Sequence, residues 1–184
     1  MTREGVRRRL RVVVEADGGA RGNPGPAGYG AVVREASTGE VLAERAAALG
    51  VATNNVAEYS GLIAGLQAAA DIGAVEVEVR MDSKLVVEQM SGRWQIKHPG
   101  LRPLAAQAAT LVRHFESVAF EWVPRHRNTH ADALANRAMD GAAPGAGGAS
   151  GAGAGAEAVP SPKASAGVVP SPKAGSRGRR RPPG

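Results

Sequence analysis

The chain has 184 residues, enough for one domain with a core and a surplus. Apolar residues make up 43% but Trp, Tyr and Phe only 3%, which predicts a Val, Leu, Ile and Ala core under a small sheet; the absence of Cys excludes disulfide scaffolds, zinc–thiolate sites and cysteine catalysis. The net charge of +6 is unevenly spread, +4 over residues 1–11 and +5 over 151–184 against −3 over 12–150, as suits an acidic body that holds cations between basic ends that attract a polyanion.

Residues 10–16 (LRVVVEA) read as a strand running into Asp17. The run GGARGNPGPAG, 18–28, is rich enough in Gly and Pro to read as a loop. Residues 29–35 and 41–47 predict two strands around a turn at Ser37–Gly39, completing an antiparallel meander. From Asn55 to Ile72 the apolar residues recur at helical spacing, with Asn55 a candidate cap and Glu58 three positions on, in the first turn. Residues 75–81 (VEVEVRM) alternate strictly as a half-buried strand and end at Asp82, after which Ser83 can cap a short helix, 84–90. A Gly- and Pro-punctuated stretch leads to a helix over about 101–114, a strand at 118–123, a loop at 124–128 and a last helix at 129–140, with Leu134, Ala135 and Ala138 toward the core. The order β-β-β-α-β-α-α-β-α describes an α/β fold, a mixed sheet with helices on its faces.

Four acids stand at the junctions of these elements: Asp17 and Asp82 after strands, Glu58 and Asp132 near helix starts. Such places gather ligands in open α/β sheets. With no Cys and four His, any metal site here is oxygen-rich and favours Mg²⁺ or Mn²⁺ over Zn²⁺. Each acid also has a local explanation. Asp17 before two Gly could start a turn, Glu58 could complete a capping box, and Asp82 and Asp132 could favour helix starts through the dipole. Spacing alone stops at a candidate hard-metal site.

Four segments in order, DGGARGNPGPAGYGAV (17–32), TNNVAEYSGLIAGL (53–66), MDSKLVVEQMSG (81–92) and WVPRHRNTHADALAN (122–136), resemble the type 1 ribonuclease H family in its compact prokaryotic form. The resemblance covers residues 10–141 and implies a ribonuclease H-like mixed five-stranded sheet. It further implies endonucleolytic, two-metal-ion hydrolysis of the RNA strand of RNA–DNA hybrids, leaving 5′-phosphate and 3′-hydroxyl ends. By the same resemblance Asp17, Glu58, Asp82 and Asp132 are the catalytic and metal-binding quartet, taking two Mg²⁺ ions with Mn²⁺ as a substitute. His126, six residues before Asp132, matches a mobile family His that assists proton transfer or product release; His130 is the weaker candidate, and His98 and His114 lie outside the matched segments. Gly18 and Asn23 are implied to contact the RNA strand, with the Gly-rich loop letting backbone groups come close to it. Thr53, Asn54 and Asn55 are implied to contact the hybrid backbone. Trp94, in a segment shorter than the basic protrusion of some family members, is expected either to pack on the sheet edge or to line the channel for the DNA strand.

Residues 1–9 read as a basic extension and 142–184 as a disordered Gly/Ala/Pro-rich basic tail with near-repeats AVPSPKA (158–164) and VVPSPKA (168–174). The tail is expected to bind nucleic-acid phosphates non-specifically, and nothing in it is expected to form a second domain. Charges recurring through residues 1–17 argue against a signal peptide, and no run is long enough to span a bilayer, so the expectation is a cytoplasmic monomer, at the nucleoid when on substrate, without a membrane partner. The competing readings are a non-catalytic hybrid-binding module and another nuclease of this fold acting on DNA.

Overall fold

The computed structural model describes residues 9–141, so the basic extension (but for Arg9) and the tail expected at 142–184 lie outside the described residues. Five strands form one mixed sheet: β1 (Arg11–Ala20), β2 (Gly25–Glu35), β3 (Val41–Ala52), β4 (Glu76–Met81) and β5 (Ser117–Trp122), in the order β3-β2-β1-β4-β5. β1 to β3 make the expected antiparallel meander, while β4 lies parallel to β1, and β5 parallel to β4. The helices are α1 (Asn54–Asp71), α2 (Lys84–Met90), α3 (Arg102–Val112) and α4 (Thr129–Gly141), with a 3-10 turn at Arg125–Arg127 before the last.

β1 is central and both its faces are covered, which is why Val12, Val13 and Val14 are all buried. One face carries the main core, where Val12, Val14 and Ala16 meet Tyr59, Leu62 and Leu66 of α1 and Val86 and Val87 of α2. α4 covers the other face through Ala131, Leu134, Ala135 and Met139. Ala138, expected in that core, is only half-buried. β4 keeps the alternation read from its sequence, with Val77, Val79 and Met81 buried and Glu76, Glu78 and Arg80 half-exposed. Among the described residues, no helix is long and apolar enough to cross a membrane.

The Gly-rich run departs most from the sequence reading. β1 continues through Asp17 to Ala20 and β2 begins at Gly25, so 21–24 alone connect them, and Asp17 lies within its strand rather than closing it. Gly22, with a φ of 86°, and Gly25, packed against the Arg21 carbonyl, serve that turn, whereas other glycines serve close approach between layers. A Cβ on Gly18 would lie 2.2 Å from the Ala57 carbonyl carbon and 2.5 Å from the Glu58 nitrogen, and one on Gly30 would lie 2.4 Å from the Ala131 oxygen. Strand neighbours point to opposite faces, so Gly18 lets α1 down onto one side while Gly30 admits α4 on the other. Gly61 and Gly65 complete the fit from the helix side, since Cβ atoms there would meet the Asp17 oxygen at 2.7 Å and the Val14 side chain at 2.5 Å. A Gly18→Ala variant is therefore expected to lose about 2–3 kcal/mol in urea unfolding. An unchanged midpoint would refute this account of the glycine.

The cap of α1 also differs. Thr53 is the N-cap, its hydroxyl accepting from the Val56 N–H at 3.3 Å, and no acidic residue sits in the first turn. Asn55 is two positions too late to cap, and Glu58 lies beyond the reach of a capping box. By contrast α2 spans the expected residues under the expected cap, Ser83 accepting from Val86 N–H at 3.4 Å.

Candidate metal centre

The ladder between β1 and β4 runs only from Arg11↔Glu76 to Glu15↔Arg80. Beyond it β1 continues while β4 stops at Met81, and the gap opening between them is where the acids meet. Asp17, 7% exposed, projects from β1, Asp82 follows β4 directly, and Glu58 reaches in from α1. One carboxylate oxygen from each of the three lies within 4.8 Å of the others. Asp132, in the first turn of α4, lies against Asp17, but its Oδ1 also accepts from Arg125 Nη2 at 3.2 Å.

So many acids in a buried space cannot all ionise without a counter-charge. Burial, followed by the charges of Asp82 and Asp132, pushes Asp17 up to about 8. Burial, then Asp17 and Asp82, pushes Glu58 up to about 9, against the smaller opposing pull of the Gly18 N–H and Arg125. Glu58 Oε2 is buried with no hydrogen-bond partner, as is Asn128 Oδ1. Orphaned buried acceptors of this kind cost about 1–3 kcal/mol unless something donates to or coordinates them. Converging carboxylates, raised proton affinities and unpartnered oxygens fit a hard divalent cation, for which the all-oxygen donor set is suited.

A model of the reverse transcriptase-like family matches residues 15–138, a span that includes all four acids. The chain is similar to LC11-RNase H1, solved in complex with an RNA/DNA hybrid, at 43% identity and a TM-score of 0.68 over 71% of this chain and 98% of that one. The chain belongs to the type 1 ribonuclease H family. It is also 64% identical over 137 residues to the Mycobacterium tuberculosis Bifunctional protein Rv2228c, an alignment covering 74% of this chain and 38% of that protein's length. The N-terminal RNase H domain of that protein, solved as a fusion with maltose binding protein, superposes with a TM-score of 0.71 over 72% of this chain and 95% of that one.

Within this ribonuclease H body the other expected site residues are placed unevenly. Asn54 and Asn23 tie the β1–β2 connection to the start of α1: Asn54 Oδ1 accepts from the Ala20 N–H at 2.8 Å, and the Asn54 N–H donates to Asn23 Oδ1 at 3.2 Å. Asn55 is exposed and faces a groove of about 530 Å³ shared with Gln89, Trp94, Lys97 and His98. Trp94, 46% exposed, lines this groove. Gly18 sits in the β1–β2 ladder opposite Tyr29, its N–H donates to Glu58, and its bareness makes room for α1. His126 is exposed on the 3-10 turn. His130 is structural: its Nδ1 accepts from Arg34 Nη2 at 2.7 Å and its Nε2–H donates to Glu44 at 2.6 Å, joining α4 to β2 and β3. His98 closes a turn by accepting from the Gly100 N–H at 3.0 Å.

Two residues at the centre have no counterpart in the sequence reading. Asn128 is 1% exposed and donates from Nδ2 to the Ala16 oxygen at 2.8 Å and to Asp82 Oδ1 at 3.3 Å, tying Asp82 to the strand that carries Asp17. Its position just before α4 resembles an ordinary helix cap, which hides this role. Arg125 is the other, disguised among the basic residues of a loop.

Proposed function

We propose that the described body hydrolyses the RNA strand of RNA–DNA hybrids endonucleolytically, with Asp17, Glu58, Asp82 and Asp132 holding two Mg²⁺ ions, or Mn²⁺ in their place. The observation that carries this reading is the convergence of Asp17, Glu58 and Asp82 within 4.8 Å around a buried, unpartnered Glu58 oxygen. Bound divalent cations would neutralise the scissile phosphate and supply an acidified water, giving 5′-phosphate and 3′-hydroxyl products.

The chain's own groups do the positioning. Asn128 holds the Asp82 carboxylate by its Oδ1 and so fixes its place beside Asp17 and Glu58. His126, on an exposed turn six residues before Asp132, has room to move and an imidazole suited to carrying a proton near neutral pH. Thr53, Asn54 and Asn55 stand at the N-terminus of α1, where helix N–H groups favour phosphate. With Asn23 and Gly18 they would read the hybrid backbone, and the groove by Trp94 and Lys97 would take the DNA strand. The basic tail would add salt-sensitive grip.

The test is cleavage of strand-labelled RNA–DNA hybrid, double-stranded RNA and duplex DNA, each with Mg²⁺, Mn²⁺ or chelator. RNA cleavage confined to the hybrid and dependent on metal is expected. No metal-dependent RNA cleavage under any condition would overturn the reading.

A further inference from the structure

We propose that Arg125 is the resident counter-cation of this acidic centre, bound to Asp132 in the metal-free protein and displaced when a divalent ion takes that carboxylate. The inference deepens the metal-site reading above and rests on it.

Of the four acids, Asp17, Glu58 and Asp82 present oxygens to one another within 4.8 Å, and Asp132 is absent from that set. Its Oδ1 is engaged instead by Arg125 Nη2 at 3.2 Å. The guanidinium is not only a partner of Asp132. Its charge is also felt by Asp17, Asp82 and Glu58, and the carboxylates in turn hold it more firmly protonated. It is therefore a monovalent cation placed at the rim of a site built for divalent ones.

Its setting makes it displaceable. The Arg125 side chain is 77% exposed, while Asp132 is 29% exposed and fixed on α4. An exposed ion pair contributes little, far less than a doubly charged ion gains among several carboxylates. Arginine does not lose its proton in the accessible pH range, so it vacates Asp132 by swinging away rather than by titrating. None of residues 125–127 of the 3-10 turn that carries it is buried, and the side chain has solvent to swing into. The consequence is ordering. The three converged acids can take an ion with Arg125 in place, whereas recruitment of Asp132 requires Arg125 to leave. Arg125 thereby sets the metal concentration at which the centre is complete.

The experiment is Mn²⁺ binding to the full chain without nucleic acid, by calorimetry and by electron paramagnetic resonance. The proteins compared are wild type, Arg125→Gln, Arg125→Lys, Asp132→Asn, the double variant Arg125→Gln/Asp132→Asn, and Asp17→Asn. Removing the competing charge is expected to tighten Mn²⁺ binding by about three- to ten-fold in Arg125→Gln. Arg125→Lys should return most of the way to wild type. The gain should vanish when Asp132 is already Asn, as coupling through that carboxylate requires. The Mg²⁺ concentration giving half-maximal hybrid cleavage should fall in Arg125→Gln by a similar factor. Unchanged or weaker Mn²⁺ binding in Arg125→Gln would overturn the proposal, since a residue that merely positions Asp132 for the metal must weaken binding when lost. A gain that persists with Asp132→Asn would also overturn it. If Asp17→Asn binds Mn²⁺ as wild type does, the metal-site reading itself fails and takes this proposal with it. If Asp17→Asn abolishes binding while Arg125→Gln shows no gain, the role of Arg125 alone is lost.

Discussion

Asp17→Asn is expected to reduce hybrid cleavage by about a thousand-fold or more, and at the same time to raise the melting temperature of the metal-free protein at neutral pH. The two effects share one cause. Asp17 lies at the point where β1 outruns β4, faces Asp82 and Glu58 closely enough for all three to share one cation, and lies against Asp132 as well. With metal bound its negative charge is the centre of the site. Without metal the same charge opposes its neighbours, and the folded protein holds a proton there, with Asp17 pushed up to about 8. An Asn keeps the shape and removes that cost. The stabilisation should be several degrees at pH 7 and should fade below about pH 4, where the carboxyl is protonated in the unfolded chain too. Thermal melts in chelator at both pH values, beside cleavage assays with Mg²⁺, measure both halves. A variant both inactive and clearly less stable at pH 7 would show that Asp17 is held for the fold instead.

The second large effect is a stability that falls with pH unless metal is present. Asp17 and Glu58 are held at about 8 and about 9, against ordinary values of 3.8 and 4.5. For an acid whose folded value is raised, the folded state binds the extra proton. Its contribution is therefore full below the unfolded value and is lost as pH rises through the folded one. Metal-free stability should decline from about pH 4.5 to about pH 9, with a slope approaching two protons in the middle of that window. Divalent cations compete with these protons, so their stabilisation should be small at pH 5 and largest at pH 8–9. Melts across this range with chelator or with Mg²⁺ test it. A metal-induced shift equal at pH 5 and pH 9 would refute proton–metal competition at these two carboxyls.

The elements whose signals are local were legible in the chain. VEVEVRM alternates because β4 is covered on one face only, and Ser83 caps α2 by a bond to a residue three positions away. Both facts are written within a few residues, so strand, cap and Asp82 at their junction could be read directly. The order of elements and the position of each acid beside one of them were legible for the same reason. The assignment of the four acids as one centre was not in the spacing. It came from the resemblance of four ordered segments to a known family, and three of the acids meet in the fold.

What the tertiary structure alone decided lies in contacts between distant residues. Gly18 carries the local signal of a loop and Gly30 that of an ordinary strand position, yet both are bare because Ala57 and Ala131, 39 and 101 residues further along, press on opposite faces of the sheet. Asn128 stands where a helix cap stands, yet its amide binds Ala16, 112 residues away, and Asp82. Arg125 looks like one more basic residue until α4 places Asp132 beneath it. The sequence by itself determined the order of strands and helices and which acids stand beside them, because propensity and capping act within a turn or two of chain, but not that β1 runs on past Asp17 or that β2 starts at Gly25. Only packing decided how close the layers come, which amide holds Asp82 and which cation faces the acids, because the sheet order β3-β2-β1-β4-β5 brings together groups that no local rule connects.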